Sequence, residues 1–336
     1  MNNHSHPDKN PHIFHLLQHA ADQQASDLHL SAGSPPWLRI QGELHTLDAL
    51  PLNTEEIQIL IAPLLNAAQR SALEQKLEID FAYALSQQLR CRANIYHQQR
   101  GLSAAFRLIP TTLPTLEKLG LPSIFKDFCR YEQGLILITG QTGSGKSTTL
   151  AAMMNHINHS ACKHIITIED PIEFIYTNQK SLIHQREVHD ATPSFHHALR
   201  AALRQDPDII LVGELRDLDT IRLALTAAET GHLVLSTLHT ASAPKTIDRI
   251  IDVFPGNEKE TVRIQLAESL AVVVSQKLFS QNGVFRAAFE ILICTPAIRN
   301  MIRDNKTAQI YSAMQAGQGV GMCTMEQYVQ AMNLTK

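Results

Sequence analysis

Residues 140–147, Gly140-Gln141-Thr142-Gly143-Ser144-Gly145-Lys146-Ser147, have the residue types and spacing of a phosphate-binding turn. The glycines let the backbone turn tightly and aim N–H groups at phosphate oxygens. Lys146 can reach the β- and γ-phosphates of a nucleoside triphosphate, and the Ser147 hydroxyl can ligate Mg²⁺. Thr148 continues the cradle into a helix whose positive amino end faces the same anion. The turn lies between the apolar run 135–139 and an apolar helical stretch through Leu150, Ala151 and Met153, the context such a turn needs. The expected ligands are ATP and Mg²⁺.

Three further segments end apolar runs, and ligands of open α/β sheets sit outside the carboxyl ends of the strands. In Ile166-Thr167-Ile168-Glu169-Asp170-Pro171-Ile172-Glu173, Glu169 and Asp170 could hold Mg²⁺ or orient water; the plain alternative is a solvated acidic turn. In Asp208-Ile209-Ile210-Leu211-Val212-Gly213-Glu214, four apolar residues precede an acid, as in a Walker B strand. Gly213 stands where an Asp is usual, so metal ligation there is lost, and Glu214 remains as candidate base or water-positioner. The plain alternative for Glu214 is a strand-end ion pair. In the segment from Gly231-His232 to His239-Thr240, His239 could sense the γ-phosphate, although by residue type alone it is an ordinary structural histidine.

These residues must be carried by two kinds of scaffold. Ile13, Leu16, Leu17 and Ala20 repeat at helical spacing over 12–22. Strands are expected at 26–30, 38–40, 81–83, 90–96 and 104–108, with a helix over 53–76 that Thr54 can cap. This first part, 1–110, is α+β. Breaks at Pro110-Thr111-Thr112-Leu113-Pro114 and Gly120-Leu121-Pro122 place a linker at 111–122. From 123 to 336, apolar strands at 135–139, 164–168, 209–212 and 233–236 alternate with helices, which predicts a mostly parallel sheet covered on both faces. The fold class is α/β.

Composition agrees. The 336 residues are 44 % apolar and 18 % charged, enough for packed cores. With 29 basic and 32 acidic residues the formal charge is −3, against a nucleic-acid binder. No apolar run approaches the ~20 residues of a membrane span. No secretory leader is visible, so a cytoplasmic protein without membrane insertion is expected. The five cysteines form no Cys-x-x-Cys pair. Of 17 histidines, His4, His6, His12, His15 and His19 crowd the amino terminus, read as a solvated, frayed tail rather than a metal site.

Together the phosphate turn, Ile168 to Phe174, Arg204 to Asp217 and Gly231 to Thr240 resemble the Walker A, Asp, Walker B and His boxes of secretion-superfamily ATPases. Gly before Glu is that family's Walker B pattern, so Gly213 becomes support. Ala297-Ile298-Arg299-Asn300-Met301-Ile302-Arg303-Asp304 is similar to the retraction-ATPase motif A-I-R-N-L-I-R-E, with two conservative changes. Ser26 to Gly33 is similar to the family's amino-terminal signature. The resemblance covers nearly the whole chain and narrows to the type IV pilus retraction ATPases, the PilT family.

It implies a PAS-like domain over 1–110 and a RecA-like P-loop ATPase domain over 123–336 with a C-terminal helical region. It also implies a homohexamer that hydrolyses ATP to retract pili in twitching motility and DNA uptake. By position Arg92 and Arg107, with Arg100 as a third candidate, look like arginines that reach the phosphates; unaided, all three read as strand-surface arginines. His232 and His239 carry over as His-box residues that touch nucleotide, and Glu169 with Glu214 as the acidic catalytic pair. Implied partners are the inner-membrane pilus platform protein and a paralogous retraction ATPase, at the cytoplasmic face of the inner membrane. The competing readings are a pilus-extension or type II secretion assembly ATPase, typically longer and often with a four-Cys zinc insertion, and a RecA-like nucleic-acid motor. A non-catalytic nucleotide-gated module is a third, disfavoured by Lys146, Ser147 and Glu214.

Overall fold

Alternating burial along Leu28 and Leu30, Cys91, Ala93 and Ile95, and Leu102, Ala104 and Phe106 gives the first of two units, residues 1–112, a sheet with one apolar face. The computed structural model describes residues 12–40, 42–86, 89–109, 112–281 and 284–333. His4, His6, Pro110 and Thr111 lie outside the described residues.

The first unit runs α1 (Ile13–Asp22), β1 (Asp27–Ser31), β2 (Trp37–Ile40), β3 (Glu43–Thr46), α2 (Thr54–Ile61), α3 (Ala67–Lys76), β4 (Glu78–Ala84), β5 (Arg90–Gln98) and β6 (Gly101–Ile109). The strands pair antiparallel throughout, in the order β3-β2-β1-β6-β5-β4. Ile13, Leu16, Leu17 and Ala20 of α1 and Ile57, Leu60 and Ile61 of α2 join the strand residues in one core. His12, His15 and His19 occupy the exposed side of α1, and His12 stacks on Phe14, so this part of the tail is ordered helix rather than frayed.

The helix expected over 53–76 is two helices. Pro63 tightens the chain into a 3₁₀ turn after Ile61, and Asn66 starts a new helix through a capping box with Gln69. The first cap is Asn53, not Thr54: the Asn53 side chain accepts from Glu56 N–H while Glu56 accepts from Asn53 N–H.

The second unit, residues 113–336, contains α4 (Ile124–Phe128), β7 (Gly134–Thr139), α5 (Lys146–Ser160), β8 (His164–Glu169), β9 (Leu182–Glu187), α6 (Phe195–Ala202), β10 (Ile209–Val212) and α7 (Leu218–Glu229). It continues with β11 (Leu233–Leu238), α8 (Ala243–Asp252), α9 (Lys259–Ser269), β12 (Leu270–Gln281), β13 (Val284–Ile293), α10 (Pro296–Arg303), α11 (Ile310–Ala316) and α12 (Met325–Ala331). Residues 113–122, expected in the linker, pack with this unit: Leu116 is buried and the Pro114 carbonyl accepts from Asn155.

The sheet order is β13-β12-β7-β11-β10-β8-β9, parallel except for β13. Both faces are covered. Leu135 and Leu137 of β7 enter one core and Ile136 and Ile138 the other. Each such burial stabilises by about 1.5–3 kcal/mol, so four of them anchor the strand that delivers the phosphate turn.

The Ala297–Asp304 motif forms most of α10. Thr295 caps it, Pro296 occupies its first turn, and Ile298 and Ile302 are fully buried. Arg299 donates to the Ala267 and Glu268 carbonyls at the end of α9, and Arg303 pairs with Glu268. The motif thus terminates α9 as well as forming its own helix. Arg299→Ala is expected to lower the stability of this unit by about 1–3 kcal/mol in urea unfolding, because two charge-assisted bonds are lost; an unchanged midpoint would disprove the cap.

Candidate nucleotide site

Parallel register sets the site. Thr139 pairs with Leu238, Val212 with Ser236, and Val212 with Ile168. The next residues, Gly140, His239, Gly213 and Glu169, therefore emerge together at the carboxyl edge of the sheet. Gly213 N–H donates to the Ile168 carbonyl at 2.8 Å, and Thr237 Oγ1 donates to the Gly213 carbonyl at 2.6 Å, so the strand ends are bonded to one another.

The phosphate turn requires its glycines. Gly140 and Gly145 have φ of +147° and +86°. A Cβ on Gly140 would collide with the Gln276 carbonyl. Lys146, the first residue of α5, is buried and donates to the Gly140 and Gln141 carbonyls, both at 3.0 Å. Burial lowers its pKa, against the opposing pull of Glu214 and Glu173. Ser144 Oγ in the turn and Thr139 Oγ1 beneath it are buried without a hydrogen-bond partner among the described residues. A cation under desolvation and an orphaned hydroxyl in a glycine turn fit a phosphate group.

A chain of contacts crosses the site. Lys146 Nζ lies 3.4 Å from His239 Nδ1, and His239 Nε2 lies 3.5 Å from Glu214 Oε2. Lysine only donates, so Nδ1 is the acceptor and Nε2 carries the proton towards Glu214, a tautomer assigned from the network. Arg216 holds the other Glu214 oxygen at 2.5 Å. The Glu214 side chain is only 14 % exposed. An open cleft of about 370 Å³ borders His239 and Thr240 and continues along α8 past Lys245 and Arg249.

Glu169 ends β8. Its Oε1 accepts from Thr167 Oγ1 at 2.7 Å and from Gln185 Nε2 at 3.3 Å. Burial raises its pKa to about 7, although these hydrogen bonds and the Glu173 N–H favour the charged form. Asp170, Ser147, Gln141, Thr142 and Gly143 are exposed, and Thr148 is half-buried. Among the described residues no three His, Cys, Asp or Glu side chains form a metal-binding group. Mg²⁺ is held chiefly by nucleotide phosphates with a hydroxyl and one or two carboxylates, the donor types that Ser147, Glu169 and Asp170 provide.

His232 is a correction. It precedes β11, where its carbonyl accepts Gly134 N–H and its ring bonds the Ala227 carbonyl at 3.0 Å. It stands at the amino edge of the sheet, one strand length, about 20 Å, from the phosphate turn. Within this chain it has no access to nucleotide bound there.

In the first unit, Arg92 and Arg107 are direct neighbours across β5 and β6. Arg92 grips Asp80 through Nε at 3.1 Å and Nη2 at 2.5 Å, and Arg107 donates to Asp27 at 3.0 Å. The Arg107 side chain stays 72 % exposed. Arg39 joins the same row, 3.9 Å from Asp27. Arg100 sits in the β5–β6 turn, far along the hairpin from this row.

Sequence reasoning missed Gln276. This buried β12 residue accepts from Thr149 Oγ1 at 2.8 Å and donates to the Ser144 carbonyl at 2.6 Å. It braces the phosphate turn against the first turn of α5. The only sequence signal was the polar pair Ser275-Gln276 that follows the apolar run 270–274.

The family described as type II/IV secretion system proteins matches residues 4–288. The type IV pilus retraction ATPase PilT of Pseudomonas aeruginosa is 53 % identical over 95 % of this chain and 93 % of its own. A twitching motility protein of Neisseria gonorrhoeae is 50 % identical over 95 % of this chain and 86 % of its own. The crystal structure of the pilus retraction motor PilT with bound ADP superposes with a TM-score of 0.90 at 46 % identity, covering 96 % and 93 % of the two chains.

Two outcomes are expected. Gln276→Leu keeps the volume but removes both braces, and should weaken binding of a fluorescent nucleotide about tenfold or more; unchanged affinity would refute the role. Glu169 is neutral in the fold below about pH 7. Its favourable contribution to stability is full below about pH 4.5 and is lost as pH rises through about 7. Glu169→Gln should therefore raise the melting temperature relative to wild type more at pH 8 than at pH 5.

Proposed function

From the chain's membership of the type II/IV secretion system protein family, we propose that it is an ATP-hydrolysing motor that powers retraction of type IV pili. The observation that supports this most is near-full-length identity to retraction ATPases in a chain whose phosphate turn, Glu214 and His239 converge at one sheet edge. Assembly as a homohexamer, in contact with the pilus platform protein at the cytoplasmic face of the inner membrane and with a paralogous retraction ATPase, is part of the same proposal. No described helix is long and apolar enough to cross a membrane.

ATP binds at Gly140 to Thr148. Lys146 already sits desolvated against two loop carbonyls, so exchanging them for phosphate oxygens adds an anion where one is favoured. Glu214 Oε2 and His239 flank the position of the attacking water. Glu214 is the base or water-positioner, and His239 reports the γ-phosphate to the segment that follows it. Ser147 and Glu169, with Asp170 at the rim, would hold Mg²⁺, which when bound neutralises phosphate charge. Arg92 and Arg107, preset by Asp80 and Asp27, supply positive charge as negative charge spreads over the phosphoryl oxygens. Energy of hydrolysis reaches the machine as changes in domain position.

Lys146→Ala and Glu214→Ala are each expected to abolish ATP turnover, with Glu214→Ala keeping nucleotide affinity; a Glu214→Ala protein as active as wild type would remove it from catalysis. Deleting the gene separates retraction from extension. Hyperpiliated cells that cannot twitch are expected, whereas bald cells would make the chain an extension motor.

A further inference from the structure

Glu290 is a buried carboxylate that the nucleotide chemistry leaves unused. It lies on β13 opposite Ser275 of β12 and is 4 % exposed. Its Oε1 accepts the Ala243 N–H at 2.7 Å. Ala243 is the first residue of α8, and the amide of Met325, the first residue of α12, favours the charged carboxylate. Amides in a first helical turn have no partner within their own helix, and the helix dipole favours an anion there. The Glu290 side chain therefore terminates α8 from β13, the strand on which α12 packs.

The two helices differ in what they carry. Residues 240–242 join His239 to α8, and Thr240 Oγ1 meets Thr246 Oγ1 at 2.6 Å, folding that segment onto the helix. Met325 and Tyr328 of α12 pack on Ala288 and Phe289 of β13, and the Cys323 backbone pairs with Ile291. Desolvation raises the Glu290 pKa, opposed by the two amides; Glu326 raises it further and Lys277 lowers it.

We propose that Glu290 is a positioning residue for ATP turnover, clamping the His239 segment to the β12–β13 hairpin, and through that hairpin to α12, so that nucleotide occupancy reaches the C-terminal helices. The proposal rests on His239 facing the γ-phosphate. Glu290 touches neither the phosphate turn nor Lys146, so it acts on turnover and not on nucleotide capture.

The test uses the full-length chain as wild type, Glu290→Ala, Glu290→Gln and His239→Ala. ATPase kinetics, fluorescent ADP binding and amide hydrogen exchange with and without ADP are measured. Glu290→Ala should lower kcat about ten- to hundredfold while ADP affinity is kept, since displacing a catalytic segment costs rate on that scale. ADP should alter exchange at 243–247 and at 325–329 in wild type, and the response at 325–329 should vanish in Glu290→Ala. Glu290→Gln retains one acceptor and should recover part of kcat. If near-ultraviolet dichroism shows Glu290→Ala to be unfolded, Glu290→Gln decides, with a several-fold lower kcat and a weakened response at 325–329 expected. Wild-type kcat with an unaltered response at 325–329 in the folded variants overturns the proposal, as does absence of any ADP response there in wild type. A wild-type turnover rate in His239→Ala would overturn the underlying placement of His239 instead, and is read separately.

Discussion

A desolvated ammonium at the start of a helix is the constraint on which the second unit depends. Lys146 is buried, and its charge is met by two carbonyls of its own turn and, through His239, by Glu214. Such an arrangement costs solvation free energy and is stable only if the turn cannot relax. Positive-φ glycines let the turn close that tightly, and the buried strand β7 on one side and α5 on the other hold its ends. The protein thus stores, in its resting geometry, a place that an anion completes.

The β12–β13 hairpin gives that place its rigidity. Gln276 braces the phosphate turn from the face of β12 that meets α5. Glu290, across the sheet on β13, seats the helix behind His239. One hairpin therefore touches both nucleotide-facing segments and leads into α10, whose Arg299 caps α9. The hairpin also supplies the sheet's one antiparallel edge. A motor needs its chemistry tied to elements that can move something, and this is where the second unit makes that tie.

Much of the candidate site was legible because its signals are local. The phosphate turn is a contiguous string, and apolar runs ending in Glu169 and Glu214 announce strand ends. Register in a parallel sheet then brings such ends together. Gln276 was invisible for the opposite reason: its partners lie 127 and 132 residues away, so no window of sequence contains the interaction. His232 failed through direction. It shares a box with His239, yet one precedes and the other follows the same strand, which puts them at opposite edges of the sheet.

By itself the sequence determined the chemistry on offer: a phosphate turn with its lysine and hydroxyl, two acidic strand ends, a histidine, and two kinds of scaffold with a break between them at 111–122. These follow from residue type and short-range periodicity, which act over a few residues. Tertiary structure alone decided which charges meet. It set Glu214 between Arg216 and His239, gave Glu169 a carboxyl that titrates near neutrality, paired Arg92 with Asp80, and removed His232 from the site. The reason is that desolvation and ion pairing depend on distance in space, and strand order and register set that distance independently of sequence separation.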